Sequence, residues 1–367
     1  MEITLKDMLK KLRIEKGITQ ETLAKHLYIS AQSVGKWERG EGYPDITLLP
    51  KIALFFDTTV DNLLGLQEAR IQEKIEKYKQ ESHQFLMVGK CQEAYELWEK
   101  AYSEFPNNET VKVQYMYMLE ERYFEAFDET QKQEKFPLLI SISESLLSSA
   151  DINTRTSAIQ TLCYTYFRKK DIEKAKEYAN MSGTMVTSRE QLLGIVLKGE
   201  EGEKQRQHNT FAYLDLFIES LMNRATRQAN TSIEEKIKIY EDCITIIKMI
   251  FDKGDYGFFC AKLTLLHSWI AREYAKLENE DKTLENLNEM AEYSIMFDTL
   301  QDSPHTSIFV DKLDFKREYV TTSNPRNTCL TSIDGINQEC FAFIKNTPKC
   351  QEILQKLEKY ARYKSND

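Results

Sequence analysis

QETLAKHLYISAQSVGKWERG, residues Gln20 to Gly40, contains two short helical stripes separated by a three-residue turn. Thr19 can cap a helix from Gln20 to Leu27 whose inner face is Leu23, Ala24 and Leu27. Ser30 can cap a second helix, Ala31 to Arg39, with Val34 and Trp37 inward and Gly40 as its stop. Ala24 is small where the two helices must approach, and Val34 and Trp37 complete the wedge that fixes their angle. That arrangement is a helix-turn-helix. Upstream, Leu5, Met8, Leu9 and Leu12 form a stripe that predicts a helix over about Thr4 to Lys16, ended by Gly17. Downstream, after the loop Gly42-Tyr43-Pro44-Asp45, residues Ile46, Leu49, Ile52, Ala53 and Phe56 predict a fourth helix. Val60 to Leu64 predict a short fifth, ending at Gly65.

The rest of the chain is also read as helical. Its 367 residues are two to three times a typical domain. Hydrophobic residues make up 41% and charged residues 29%, with only 13 Gly and 7 Pro, which favours helix over a β-sandwich or a disordered chain. No apolar run reaches the roughly 18 to 20 residues of a membrane span; the oily stretch Cys243 to Phe251 is interrupted by Lys248. With no secretory apolar segment at the start, the expected location is cytoplasmic, away from membranes. Seven cysteines without Cys-x-x-Cys pairing fit free thiols in a reducing compartment. No phosphate loop, nucleophile elbow or zinc pattern is present, and the five histidines lack ligand spacing. The expectation is therefore a protein that is not an enzyme and needs no metal or cofactor. Residues 1–65 hold nine Lys+Arg and nine Asp+Glu, so the whole net charge of −9 falls in residues 66–367. An acidic body repels polyanions, which leaves the neutral N-terminal unit as the better candidate for nucleic acid.

Gln20, Leu23, Ala24, Leu27, Ile29, Ser30, Val34, Lys36, Trp37, Glu38 and Gly40 fall in register together, followed by Pro44 and Asp45. In this register the segment from about Leu5 to Leu64 resembles the Cro/C1-type (XRE-type) helix-turn-helix of phage repressors and bacterial regulators, a five-helix lambda-repressor-like fold. The resemblance implies that Gln20 touches a phosphate and that the helix from Ala31 enters the major groove. Ser30, Ala31, Gln32, Ser33 and Lys36 would then face base edges or the backbone, with Arg39 near phosphates. It also implies a salt bridge between Arg13 and Glu38. The chemistry agrees: Gln can pair bidentately with adenine, and Lys can donate to guanine O6 and N7. A solvated helix face would present Gln32 and Lys36 equally well, and Trp37 reads as core. Tyr28 departs from the pattern, standing where such motifs often have a glycine with positive φ. The turn is either strained by about 1 kcal/mol or built differently.

Beyond residue 65 helical stripes recur, with breaks at Gly89, Pro106, Pro137, Asp151, Gly183, Gly254, Pro304 and Pro348. Tyr78, Ser82, Phe85, Ala94, Trp98, Ala101 and Pro106 have the spacing of a tetratricopeptide (TPR) repeat. Small-residue pairs twelve apart occur at Ser82/Ala94, Cys163/Ala175 and Ala271/Thr283, each with an aromatic three after the first member: Phe85, Tyr166, Tyr274. The expected fold class is all-α: the five-helix DNA-binding domain over residues 1–65, a TPR-like α-solenoid over 66–303 and a helical cap over 304–367, with ten to fourteen helices. Glu200 to Asn209, polar and charged, reads as an exposed loop.

The arrangement resembles the peptide-responsive regulators of Gram-positive bacteria. It implies a transcriptional regulator that senses a peptide or protein effector on the TPR-like concave face, and because a module of net charge zero offers few phosphate contacts, binding to double-stranded DNA is expected as a homodimer. Asn223, Arg224 and Asn230 are candidate effector contacts, because side-chain amides can bond an extended peptide. An ordinary polar helix end is the alternative for these three. Tyr115 to Met118, Phe341 and Phe343 are candidate dimer surface or core. The alternative for the whole chain is a TPR-type interaction adaptor with a vestigial DNA-binding module.

Overall fold

The computed structural model describes residues 5–185, 188–228, 230–320 and 324–363. Five helices open the chain: α1 (Leu5–Glu15), α2 (Gln20–Leu27), α3 (Ala31–Arg39), α4 (Leu49–Phe55) and α5 (Val60–Leu63). Thr4, expected to start the first helix, lies outside the described residues. Leu9, Leu23, Val34, Ile52 and Leu63 are fully enclosed, with Trp37 packed among them. Ile46 was expected on the inner face of the fourth helix. It sits instead in a 3₁₀ turn, Ile46–Leu48, with its side chain exposed.

Helix α6 (Leu66–Met87) follows Gly65 with no intervening linker, and α7 (Cys91–Glu104) follows it. Two compact units emerge. The first comprises the described residues up to Ser82 with Leu97–Pro106; the second comprises His83–Glu96 and the described residues from Asn107 onward. In the first unit Trp98 Nε1 donates to Ser82 Oγ at 2.8 Å and the Tyr78 hydroxyl donates to Glu104 at 3.1 Å.

The second unit contains α8 (Glu109–Glu125), α9 (Glu129–Leu146), α10 (Ile152–Arg168), α11 (Ile172–Ala179), α12 (Arg189–Val196), α13 (Gly199–Arg227) and α14 (Ile233–Ile250). It continues through α15 (Phe259–Lys276), α16 (Glu280–Thr299), α17 (Thr328–Ile336) and α18 (Pro348–Glu358). Its described sheet is one antiparallel pair, β1 (Ser303–Pro304) and β2 (Asp314–Phe315).

The twelve-residue spacing of small residues has a backbone counterpart. Seven positions after Ser82, Cys163 and Ala271 stand Gly89, Lys170 and Glu278, with φ of 72°, 64° and 53°. The next residue in each case, Lys90, Asp171 or Asn279, donates its N–H to the carbonyl of Phe85, Tyr166 or Tyr274, at 2.9, 2.9 and 3.1 Å. Four positions on, Ala94, Ala175 and Thr283 donate back to Lys90, Asp171 and Asn279. Each turn is thus a left-handed C-cap that launches the next helix at once. The aromatic marks the accepting carbonyl, and a small residue stands at N4 of the following helix. Asp171 and Asn279 also cap the second helices with their side chains.

Three further sequence expectations are corrected. Residues 200–209 are the first part of α13 and not a loop, because Glu, Lys, Gln and Arg are good helix formers and nothing stops the run. Gln207 and Asn209 are buried there with their polar groups satisfied: Gln207 Nε2 donates to Asp311 at 2.7 Å, and Asn209 Nδ2 donates to the Glu190 carbonyl at 2.8 Å. Pro137 lies inside α9 and breaks nothing, at the expense of one intrahelical N–H bond. Tyr115, Met116 and Phe341 are buried in the protein's own core, which removes them as dimer surface; Phe343 is exposed.

Gly89 has a second constraint. A Cβ there would stand 2.4 Å from Pro325 Cα. Gly89→Ala should therefore destabilise the second unit by more than the roughly 1 kcal/mol of left-handed strain alone. Lys170→Gly should stabilise it by up to about 1 kcal/mol. Urea melts of the full chain check both, and equal effects of the two changes would contradict the reading.

Candidate nucleic-acid interface

The α2–α3 corner is built from local capping. Thr19 Oγ1 accepts from Thr22 N at 3.2 Å, and Ser30 Oγ accepts from Ser33 N at 3.1 Å. Tyr28 takes the left-handed conformation, φ 59° and ψ 43°, so the residue that departs from glycine keeps the backbone a glycine would have. Its N–H bonds the Lys25 carbonyl at 3.3 Å, and Ile29 N bonds the Ala24 carbonyl at 3.0 Å. The ring is 95% exposed and does nothing to offset the cost of about 1 kcal/mol. Gly40 ends α3 in the same conformation.

The implied bridge between α1 and α3 is present and bidentate. Arg13 Nε donates to Glu38 Oε1 at 2.6 Å and Nη2 donates to Oε2 at 2.9 Å, while Nη1 donates to the Ile18 carbonyl at 2.9 Å. Their side chains are only 14% and 4% exposed. Gln20 Nε2 also donates to Glu38 Oε2, at 2.8 Å. Burial pushes the Glu38 carboxyl up, but the hydrogen bonds from Arg13 and Gln20 and the charges of Arg13 and Lys10 hold it below the ordinary glutamate value. The hydrogen bond to Glu38 holds Arg13 above its own.

This network uses the amide N–H of Gln20, read from the sequence as a phosphate contact, to brace α2 against α3. Gln32 and Lys36 are exposed on α3 with no hydrogen bond or ion pair among the described residues. Ser30 and Ser33 join hydroxyls at 2.8 Å, and Ala31 is half-buried. Arg39 forks onto Glu41 at 2.7 and 2.8 Å, an exposed pair that a phosphate can displace at little cost. Sequence reasoning did not single out Lys25 and Lys51. Both line a hollow beside the turn with His26, Tyr28 and Leu54, and add positive charge there.

The effector candidates do not converge. Asn223 and Arg224 are neighbours on α13 but line different grooves. Asn223 lines one with Phe167 and Arg227, and Arg224 lines another with Thr231 and Glu235. Asn230 is exposed in the turn before α14 and lines neither. Among the described residues no helix is long and apolar enough to cross a membrane.

Residues 9–63 match the family model described as helix-turn-helix. A 62-residue stretch is 45% identical to the HTH-type transcriptional activator BcrR of Enterococcus faecalis, covering 17% of this chain and 30% of that protein. The alignment thus spans under a third of the relative's length. A solved structure of Bacillus thuringiensis PlcR in complex with the peptide PapR7 and DNA aligns over 81% of this chain and 95% of that one, at 15% identity and a TM-score of 0.35.

Removing one partner of a buried bridge leaves an unpaired charge, so Arg13→Ala should destabilise the first unit by roughly 3 kcal/mol. Because the folded pKa of Glu38 is depressed, its contribution is complete above the ordinary glutamate range and is lost as pH falls through the folded value. Hydrogen exchange of α1 to α3 amides in the full chain at neutral and acidic pH measures both effects. Protection in Arg13→Ala equal to wild type at neutral pH would contradict the account. Tyr28→Gly should raise stability by about 1 kcal/mol, because only the strain is removed.

Proposed function

We propose that this chain, whose residues 9–63 are a helix-turn-helix domain of the Cro/C1 type, is a cytoplasmic sequence-specific transcriptional regulator that binds double-stranded DNA through residues 1–65. The observation behind this reading is the division of labour on α3. Its inner face and both caps are committed to the fold, while Gln32 and Lys36 stand exposed and unpaired on the outer face. Those two would read base edges in the major groove, one as an amide pair to adenine and the other as a donor to guanine. Ser30, Ser33 and Ala31 would lie against the backbone, and Arg39, released from Glu41, would neutralise a phosphate. Gln20 would present its helix-terminal backbone N–H to a phosphate while its side chain stays on Glu38.

In this reading the helical part, residues 66–303 with the cap 304–367, joins two copies and senses a peptide or protein effector. A neutral module offers few phosphate contacts, and two copies on one scaffold raise the effective concentration of the second. The effector surface we favour is the open groove of about 640 Å³ between α10, α11 and the end of α13. Tyr164, Phe167 and Ile172 are its exposed apolar elements, Arg168, Lys176 and Arg227 its cations, and Asn223 its amide. An extended segment bearing apolar and acidic side chains matches that surface.

Replacing Gln32 and Lys36 together with Ala should weaken DNA binding by about 1 to 3 kcal/mol per lost base contact and relax sequence preference. Gel-shift titrations against selected and random duplexes check this. Unchanged affinity and preference would remove α3 as the reader, and no binding of wild type to any duplex would favour the adaptor reading. Sedimentation of the full chain should give a dimer at micromolar concentration, and a monomer both free and on DNA would contradict the shared-scaffold reading.

A further inference from the structure

The second unit holds a separate cavity of about 220 Å³ where the first half of α13 meets the loop before α15 and the β1–β2 hairpin. At its edge stands His305, with a side chain 3% exposed. Nδ1 lies 2.8 Å from the Asp255 carbonyl and 3.6 Å from its carboxylate Oδ2, and the backbone N–H of His305 donates to the Leu313 carbonyl at 2.9 Å. A carbonyl only accepts, so Nδ1 holds a proton. Among the described residues Nε2 makes no hydrogen bond. A Cβ at Gly257 would stand 2.8 Å from Cε1 and 3.3 Å from Nε2, so the absence of a side chain there, at φ 53°, keeps that edge of the ring clear.

The remaining walls supply complementary groups. Lys204 and Lys316 line the cavity with no ion-pair partner among the described residues, and Asp314 faces the same space. Phe211, Phe258 and Leu313 form the apolar surface. The Asp314 carboxylate suits an ammonium group, two lysines without ion-pair partners suit a carboxylate, and the aromatic floor suits an apolar side chain. The volume is below the roughly 300 to 1,000 Å³ of pockets that enclose drug-sized ligands, so the occupant is small.

We infer that this cavity is a binding site for a free α-amino acid with an apolar or aromatic side chain. The inference concerns the second unit and stands whether or not the first binds DNA.

Calorimetric titration of the full chain with L-phenylalanine and L-leucine tests it, alongside 3-phenylpropanoate, 2-phenylethylamine and a tripeptide ending in phenylalanine. At least one amino acid should bind, and removing either its amine or its carboxylate should weaken binding about tenfold or more. Lys204 is exposed and Lys316 half-buried, and neither makes an ion pair among the described residues, so a folded Lys204→Gln/Lys316→Gln variant should lose about the same factor. His305→Asn should weaken binding further. No heat with either amino acid at millimolar concentration would overturn the inference. So would affinity unchanged in the double lysine variant, or equal affinity for the tripeptide.

Discussion

A single left-handed residue closes each of four helix hairpins in this chain, and the arrangement of helices in both units depends on it. Tyr28, Gly89, Lys170 and Glu278 all have φ between 53° and 72°. At each, a helix ends in a C-cap whose carbonyl acceptors are satisfied within the turn, and the next helix starts within two or three residues. Short connections of this kind leave the paired helices no choice but to pack on one another, so the side chains at the crossing must be small. Ala24, Ala94 and Ala175 are buried alanines beside these turns. Three of the four left-handed positions are not glycine, each at a cost of about 1 kcal/mol that packing of the hairpin has to offset.

In the first unit this geometry is reinforced by charge. Glu38 is nearly inaccessible yet ionised, because Arg13 grips both its oxygens and Gln20 supplies a third hydrogen bond. Three helices meet at one carboxylate. The outer face of α3 is thereby presented on a rigid frame, and its free polar side chains pay no folding penalty for being available.

The helix-turn-helix was legible because its signals are local. Caps at Thr19 and Ser30, a stop at Gly40 and apolar residues at helical spacing all lie within about twenty positions, and α2 and α3 have the bounds read from the sequence. The repeat was legible for a related reason, since small residues and aromatics recur where the same turn recurs. What escaped were features decided by distant partners. Residues 200–209 look solvated, but Gln207 finds Asp311 and the Lys312 N–H over a hundred positions away, which lets one side of a polar helix be buried. The side chain of Gln20 was legible as a helix-start polar group but not as a brace, because Glu38 reaches it only after α3 has folded back. His305, Lys204 and Lys316 come together only through the hairpin at 303–315 and gave no sequence motif.

The central claim is that α3 reads sequence while the rest of the first unit holds it in place. Hydrogen–deuterium exchange of the full chain, with and without a duplex selected for binding, tests it most directly. The account predicts new protection concentrated in residues 30–39 and at the start of α2, with a smaller change beside Lys25 and Lys51. Protection confined to the second unit, with α3 exchanging as in the free protein, would contradict it.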